Sequence, residues 1–219
     1  MQQTITLTPA KKIFMGIIAI TAWFALILQL YLMLVKAPSI GISAINTIIN
    51  FLSFFTILSN LLVAISLSFS LLSPSSGFGK FFSSVNTQSA IALYIFVVGI
   101  VYNLVLRDLW APTGWQLVAD NLLHVIVPLL YVLFWGSFNP KRKLQWKNIL
   151  PWLIFPAIYL IYSLIRGSIV GWYPYPFVDA AKLGYGKVAI NSFLVVIAFI
   201  IIGLGLIAVN RIGKKEANA

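Results

Sequence analysis

The sequence predicts an all-α polytopic membrane protein, a bundle of about six transmembrane helices with both termini in the cytoplasm. Hydrophobic residues make up 61% of the 219 residues and charged residues only 9%, and the mean hydropathy is +0.99. A water-soluble domain carries roughly 25% charged residues, so the main solvent of this chain is lipid. Apolar runs long enough to cross the hydrocarbon core, which needs about 20 residues, recur along the whole chain.

The first apolar run follows Lys11 and Lys12 and is longer than the roughly 7–15 apolar residues of a signal peptide. It lacks an Ala-x-Ala cleavage pattern, so it is predicted to be a retained first span. Turn-forming or charged residues separate the later runs, including Pro38, Pro74 and Pro140. The six predicted spans are 13–35, 44–72, 88–106, 115–136, 148–166 and 187–210, and they form one transmembrane domain over residues 1–219.

Positive charge predicts the orientation, because cytoplasmic loops of membrane proteins carry an excess of Lys and Arg. With the N-terminus inside, ten of the 15 basic residues fall on the cytoplasmic side. These are Lys11, Lys12, Lys80, Lys141, Arg142, Lys143, Lys147, Arg211, Lys214 and Lys215. The protein is therefore expected in a membrane as a multi-pass protein, which for a bacterial chain is the inner membrane.

Composition also excludes several classes of function. The chain has no cysteine, which excludes disulfides, thiol nucleophiles and thiolate metal sites. One histidine and four carboxylates argue against a protein-bound metal, so no metal and no cofactor is predicted. The net charge of +11 is scattered between apolar runs, a pattern typical of contact with anionic lipid headgroups and not with nucleic acid. Membrane lipids are the predicted partners, as solvent and as candidate substrate, and the sequence leaves the oligomeric state open.

The fourth predicted span contains ionisable residues, which are costly within a membrane and indicate function. Asp120 and His124 are four residues apart and share a helix face, as do Asn121 and, further along, Pro128 and Tyr131. An ionised Asp120 would hold the imidazole in one tautomer and stabilise its protonated form. Pro128 removes a backbone donor and frees the carbonyl of His124, which predicts a kink beside the histidine.

The second predicted span carries a polar stripe of Asn46, Asn50, Ser53, Thr56 and Asn60, within an arc of about 120° on a continuous helix. Such a stripe is expected to face the bundle interior. Threonine often bonds its hydroxyl back to its own helix, and Ser53 and Ser59 offer the same chemistry as Thr56. At about 1.5 Å per residue, Thr56 lies about 18 Å along its helix from the outer surface. The same rise places His124 about 14 Å along its own helix, so the two residues are expected at one level of the bilayer.

Three interpretations of the Asp120–His124 pair remain open from spacing alone: a polar clamp between helices, a proton or ion path, or a catalytic dyad. They correspond to three classes of function. The first is a membrane-embedded lipid-ester hydrolase, the second a small transporter or proton-relay protein with Asp120 and His124 as the titrating pair, and the third a non-catalytic lipid-binding protein. The absence of two matched halves with broken helices weighs against transport.

Three stretches carry a resemblance to a known family. They are Phe-Phe-Thr-Ile-Leu-Ser-Asn-Leu-Leu at 54–62, Asp-Asn-Leu-Leu-His-Val-Ile-Val-Pro at 120–128 and Gly-Trp-Tyr-Pro-Tyr-Pro-Phe-Val-Asp at 171–179. In order and spacing the chain resembles the androgen-induced-protein family of multi-span membrane hydrolases, and in particular its bacterial relatives. The animal members are threonine hydrolases that cleave fatty acid esters of hydroxy fatty acids. The resemblance implies a Thr nucleophile at Thr56 and a His base at His124.

The implied chemistry is acyl transfer to a hydroxyl, with His124 accepting the proton of Thr56 and returning it to the leaving alcohol. Asp120 is assigned the orienting role from helical spacing and not from the family pattern. The oxyanion needs hydrogen-bond donors. The predicted amides of this polar pocket are Asn60, Asn121, Asn50 and Asn103. The segment 172–177 is expected to anchor at the membrane interface or to cap the site as a stiff cover.

Overall fold

The computed structural model describes residues 7–212, and over this range it is a helical bundle without strands. Six of its helical segments are long and apolar enough to cross a membrane, as the sequence predicts. They are Pro9–Ile40, Phe55–Leu72, Val85–Leu109, Gly114–Phe138, Trp146–Val170 and Ala180–Ile212. The α-helices within and between them are α1 (Pro9–Lys36), α2 (Ala44–Leu52), α3 (Phe55–Leu72), α4 (Gly77–Ser83), α5 (Val85–Val101), α6 (Gly114–Asn121), α7 (Val127–Phe138), α8 (Ile149–Trp152), α9 (Ile154–Val170) and α10 (Ala180–Ile212).

The interior of the bundle is built mainly from the first four spans and the sixth. Helix α1 packs on α3, α5 packs on α7, and α10 packs on α5. Outward faces remain apolar: Ile20 and Ile27 of α1 and Ile158 of α9 are largely exposed. Lipid tails cover such faces in a membrane, so the exposed apolar surface is consistent with a polytopic bundle. The fifth span is the least buried of the six, with 11% of its apolar window inside the protein.

The second span differs from the prediction of one continuous helix over 44–72. The helix breaks at Ser53 and Phe54, which separates the short α2 from the membrane-spanning α3. Tyrosines of the fifth span satisfy polar groups at the break: Tyr159 donates to the Ser53 carbonyl at 2.9 Å, and the Tyr162 hydroxyl lies 2.8 Å from Ser53 Oγ. Backbone inside a membrane leaves the helix only where the protein supplies such partners. Because these partners are distant in sequence, the local apolar pattern could not predict the break.

Two π-helical turns interrupt the third and fourth spans at the same end of the bundle. They cover Tyr102–Leu106, which follows α5, and Leu122–Ile126, between α6 and α7. In the second turn the amide of Val127 bonds to the Leu122 carbonyl, and Pro128 has no amide to donate. The Leu123 carbonyl therefore loses its helical donor, and the side chain of Asn60 supplies one at 3.1 Å. Isolated π-helical turns occur frequently at functional sites.

The segment between the fifth and sixth spans begins at Gly171, which ends α9 in the left-handed conformation with φ of 69°. Residues 176–178 form a 3₁₀ turn, and the sixth span then begins at Ala180. Gly184 interrupts the helix near the start of this span, since its φ of 74° lies outside the helical region. The predicted start of the span, near residue 187, lies just after this break.

The cysteine-free chain permits a direct test of the predicted orientation. In six-span topology, Ser75 and Ala111 are exposed on opposite ends of the bundle. Because the charge rule places the termini inside, Ala111→Cys is expected to react with a membrane-impermeant maleimide in intact cells. Ser75→Cys is expected to react only after permeabilisation. The reverse labelling pattern would contradict the predicted orientation while leaving the six-span fold intact.

Candidate functional site

A cluster of three side chains joins the third and fourth spans at their π-helical turns. The Asp120 carboxylate is buried, with 1% of its surface exposed. One of its oxygens accepts a hydrogen bond from the Tyr102 hydroxyl, and the other lies 3.2 Å from His124 Nδ1. The rings of Tyr102 and His124 stack at a centroid distance of 4.0 Å and an angle of 17°. Carboxylate, imidazole and phenol therefore fix one another's orientation.

The two nitrogens of His124 have different surroundings. Nδ1 lies 2.9 Å from the backbone carbonyl of Asp120 as well as 3.2 Å from its carboxylate. Both neighbours are acceptors, so the Nδ1 atom carries the proton and donates. Nε2 has no hydrogen-bond partner within residues 7–212. An imidazole held in this way presents a basic nitrogen to the space in front of it.

Thr56 lies in the first turn of α3, directly after the break in the second span. The first amides of a helix have no partner within the helix. The amide of Thr56 donates to the Tyr175 hydroxyl at 3.2 Å, and Thr56 Oγ1 lies 3.4 Å from the same oxygen. Tyr175 thus reaches from the segment between the fifth and sixth spans to the start of α3. The Thr56 side chain is almost fully buried, with 6% of its surface exposed.

Two cavities meet at Thr56. We call the first the polar cavity; it measures about 320 Å³, and its walls include Thr56, His124 and Asp120. We call the second the apolar cavity; it measures about 390 Å³ and lies between the third, fifth and sixth spans. The residues that line both cavities are Thr56, Tyr102, Leu106 and Tyr175. The other walls of the apolar cavity are almost entirely hydrocarbon, from residues such as Val97, Leu160 and Phe199.

Thr56 and His124 line the polar cavity together but form no hydrogen bond with each other in the described part of the chain. The Thr56 hydroxyl contacts Tyr175, and the free Nε2 of His124 faces no protein acceptor or donor. Catalytic hydrogen bonds are often long without substrate and shorten when it binds, and a water can bridge such a gap. The predicted depth of Thr56 was counted along one continuous helix over 44–72. In the structure a new helix begins just ahead of Thr56, so that count does not apply.

The four amides predicted for an oxyanion pocket do not form one. Asn60 lies beside Thr56, but its amide nitrogen donates to the carbonyls of Thr56 and Leu123 at 2.8 and 3.1 Å. Asn50 accepts from Arg166, and Asn103 donates to the Gly99 carbonyl on an exposed surface. Neither of these two residues lines the polar or the apolar cavity, and Asn121 does not either. The helical angle alone does not place these amides, because their positions depend on the partners that neighbouring residues supply.

The polar stripe predicted for the second span is also divided by the break. Asn46 is exposed, and Ser53 Oγ bonds to the Ile49 carbonyl at 2.7 Å. Ser59 is fully buried in the bundle and lines neither cavity. Ser192 lines the apolar cavity, where His124 is not a wall residue. Of Ser53, Thr56 and Ser59, only Thr56 lines the polar cavity together with His124.

Two tyrosines that helical spacing does not single out complete the site. Tyr102 lies in the last part of the third span, where a tyrosine resembles an interfacial anchor. Tyr175 belongs to the aromatic segment 172–177, whose Tyr-Pro-Tyr-Pro pattern was the available signal. Burial raises the pKa of the Tyr175 phenol above its usual value, so the phenol stays protonated at neutral pH. A neutral phenol beside Thr56 is a hydrogen-bond donor.

The segment 171–179 is fixed against the fifth span by a close contact at Gly167. A Cβ atom at this position would lie 2.1 Å from the Tyr173 ring. The Trp172 ring packs edge-on against Phe54 at 5.6 Å, and Phe54 also contacts the Tyr175 ring. The absence of a side chain at Gly167 therefore lets the segment lie close to the bundle and hold Tyr175 beside Thr56.

Gly167→Ala is expected to destabilise the protein by about 1–3 kcal/mol, because the new methyl group forces the Tyr173 ring out of its position. Thermal unfolding of the purified protein in detergent measures the loss as a lower Tm. Gly136→Ala is the matched control, since nothing lies within 4 Å of a Cβ at that helical position. The double variant Gly167→Ala, Tyr173→Ala should lose less stability than the two single changes added together. Additive losses would show that the two residues do not interact.

Comparison with protein-family models, with curated proteins and with solved structures finds no match to this chain. The geometry of the two cavities and of the residues between them is therefore the basis for assigning a function to this membrane protein.

Proposed function

We propose that the protein is a membrane-embedded lipid-ester hydrolase with Thr56 as nucleophile and His124 as general base. The observation that carries the proposal is the position of Thr56 at the junction of the polar and apolar cavities. Thr56 lines the polar cavity together with His124, and it also lines the apolar cavity, which is suited to hydrocarbon. This is the arrangement that an ester with a long acyl chain requires. It is also consistent with the family resemblance of the sequence.

In the first step Thr56 Oγ1 attacks the ester carbonyl while His124 Nε2 takes the hydroxyl proton, directly or through one water. The tetrahedral intermediate then collapses, and the C–O bond to the alcohol breaks as His124 returns the proton to the leaving oxygen. Water next attacks the acyl-threonine ester with His124 again as base. This second step releases the fatty acid and restores the Thr56 hydroxyl.

Asp120 and Tyr102 support the base. The imidazole must gain a positive charge during each proton transfer, and the Asp120 carboxylate at 3.2 Å stabilises that charge. The Tyr102 hydroxyl bonds to the other oxygen of the same carboxylate and its ring stacks on the imidazole. A chain of buried hydrogen bonds of this kind holds the ring at a fixed angle, with Nε2 toward the polar cavity.

The start of α3 and the Tyr175 phenol favour the negative charge that develops on the ester oxygen. Thr56 is in the first turn of an 18-residue helix, where the aligned peptide dipoles place a partial positive charge. The Tyr175 hydroxyl accepts from the Thr56 amide and keeps its own proton for donation. A neutral donor held 3.4 Å from the nucleophile is suited to hydrogen-bond to the carbonyl oxygen, which becomes negatively charged when Thr56 attacks the ester.

Thr56→Ala and His124→Ala are each expected to abolish labelling of the protein by a fluorophosphonate probe in membranes. The same changes should lower kcat for a fatty acid p-nitrophenyl ester by about 10³-fold or more, because nucleophile and base act as a unit. Ser53→Ala is the control, since Ser53 sits at the break beside Thr56 but lines neither cavity. Labelling that persists in Thr56→Ala would move the nucleophile to another residue. Proton uptake that depends on His124, without any labelling, would favour the transport alternative.

Tyr175→Phe is expected to lower kcat by about 10²-fold with little change in KM, because the phenol donates mainly in the transition state. Its pKa is raised above the ordinary value of 10.0, so the wild-type rate should not fall through ionisation of this phenol below pH 10. Steady-state kinetics with the p-nitrophenyl ester measure both quantities. Tyr173→Phe is the control on the same segment. A Tyr175→Phe enzyme with an unchanged kcat would remove the phenol from the mechanism.

A further inference from the structure

We infer that the leaving alcohol of the substrate is an uncharged, hydroxyl-bearing group such as glycerol, and that Gln29 and Gln116 bind it in the polar cavity. This inference rests on the proposed hydrolase function and names its substrate class: an ester between a long apolar acyl chain and a neutral polyol. The two cavities that meet at Thr56 divide the substrate between them. The acyl chain occupies the apolar cavity and the alcohol occupies the polar cavity.

The amides of Gln29 and Gln116 form a pair in the wall of the polar cavity. The nitrogen of Gln116 donates to the oxygen of Gln29 at 2.8 Å. This bond leaves the Gln29 nitrogen as a donor and the Gln116 oxygen as an acceptor, neither with another partner within residues 7–212. Whichever way the two amides are turned, their pairing leaves one donor and one acceptor side by side. A hydroxyl group both donates and accepts, so an alcohol with free hydroxyls satisfies both atoms.

Charge in the polar cavity points to a neutral alcohol. Among the described residues that line it, none is Lys or Arg, and Asp120 supplies a carboxylate. Arg107 is near in sequence, but its guanidinium donates to Asn103 at 3.0 Å on the exposed surface. A second carboxylate or a phosphate in this space would lie near the Asp120 charge, with no Lys or Arg among the described wall residues to pair with it. The cavity therefore disfavours an alcohol that carries an acid group.

The apolar cavity supplies the opposite environment for the acyl chain. Its walls come from the third, fifth and sixth spans, and the few polar groups include the Tyr159 hydroxyl, which already bonds to the Ser53 carbonyl at 2.9 Å. Its hydrocarbon walls match an acyl chain and offer almost no hydrogen-bonding groups to a polar alcohol. The chain is thereby fixed with its carbonyl at Thr56 and its alcohol directed toward the glutamine pair. Substrate orientation follows from the difference in polarity between the two spaces.

The test compares three oleoyl esters with the purified full-length protein in detergent micelles. They are 1-oleoylglycerol, methyl oleate, which lacks free hydroxyls, and the oleoyl ester of 12-hydroxystearic acid, which carries a carboxylate. We expect kcat/KM for 1-oleoylglycerol to exceed that for each of the others by about tenfold or more, since unmet hydrogen bonds and an unpaired charge both penalise them. A carboxylate ester hydrolysed as well as 1-oleoylglycerol would overturn the inference. Equal values for methyl oleate and 1-oleoylglycerol would overturn it as well.

Substitutions at the pair give an independent readout. Gln116→Leu should lower the ratio of kcat/KM for 1-oleoylglycerol over methyl oleate by about tenfold, because the alcohol loses its acceptor. The ratio separates this effect from general damage to the fold. Gln116→Lys should shift preference toward the carboxylate ester by introducing a cation. Ratios that stay at the wild-type value in both variants would overturn the role of the pair.

The two proposals fail in distinguishable ways. Hydrolysis of a p-nitrophenyl ester that depends on Thr56, with the wrong preference among the three oleoyl esters, would overturn the substrate class and leave the hydrolase standing. No hydrolysis of any ester, together with no labelling of Thr56 by the fluorophosphonate probe, would overturn both.

Discussion

The structure depends on one constraint of the bilayer: every backbone polar group within the hydrocarbon must find its partner inside the protein. Regular helix meets this demand along most of the six spans. Where the backbone departs from it, side chains take over, as Tyr159 does for the Ser53 carbonyl and Asn60 for the Leu123 carbonyl. These side chains come from other spans, so each departure ties helices together. The polar interior of the bundle is thus organised around its irregular backbone.

The candidate site lies where these irregularities coincide. The break before Phe54 turns the second span into a helix that begins beside Thr56, and the π-helical turn at Leu122–Ile126 contains His124. A helix start provides unpaired amides and a favourable dipole for negative charge. This π-helical turn begins two residues after Asp120, and in it the imidazole contacts both the Asp120 carboxylate and the Tyr102 ring. The irregular backbone and the residues of the candidate site therefore lie at the same places in the second and fourth spans.

In the proposed reaction, the difference in polarity between the two cavities orients the substrate. The walls of the apolar cavity, which include residues of the fifth span, are almost entirely hydrocarbon. The walls of the polar cavity include amide, phenol, carboxylate and imidazole groups. An ester that spans the two cavities must place its carbonyl at their junction. Thr56 and Tyr175 line both cavities, and His124 lines the polar one. In the proposed reaction, the same division of the interior into two cavities serves both binding and catalysis.

The sequence by itself determined the membrane environment, the number of spans and the pairing of Asp120 with His124, because hydropathy and helical spacing are local properties. It did not determine the break at Ser53, the tyrosines that complete the site, or the positions of Asn50, Asn103 and Asn121 outside the walls of both cavities. The break at Ser53 and the positions of Tyr175 and Asn50 depend on contacts between residues more than 100 positions apart, namely with Tyr159, Thr56 and Arg166. Only the tertiary structure decides which polar groups meet, because a buried group bonds to whatever the packing of the helices brings within reach.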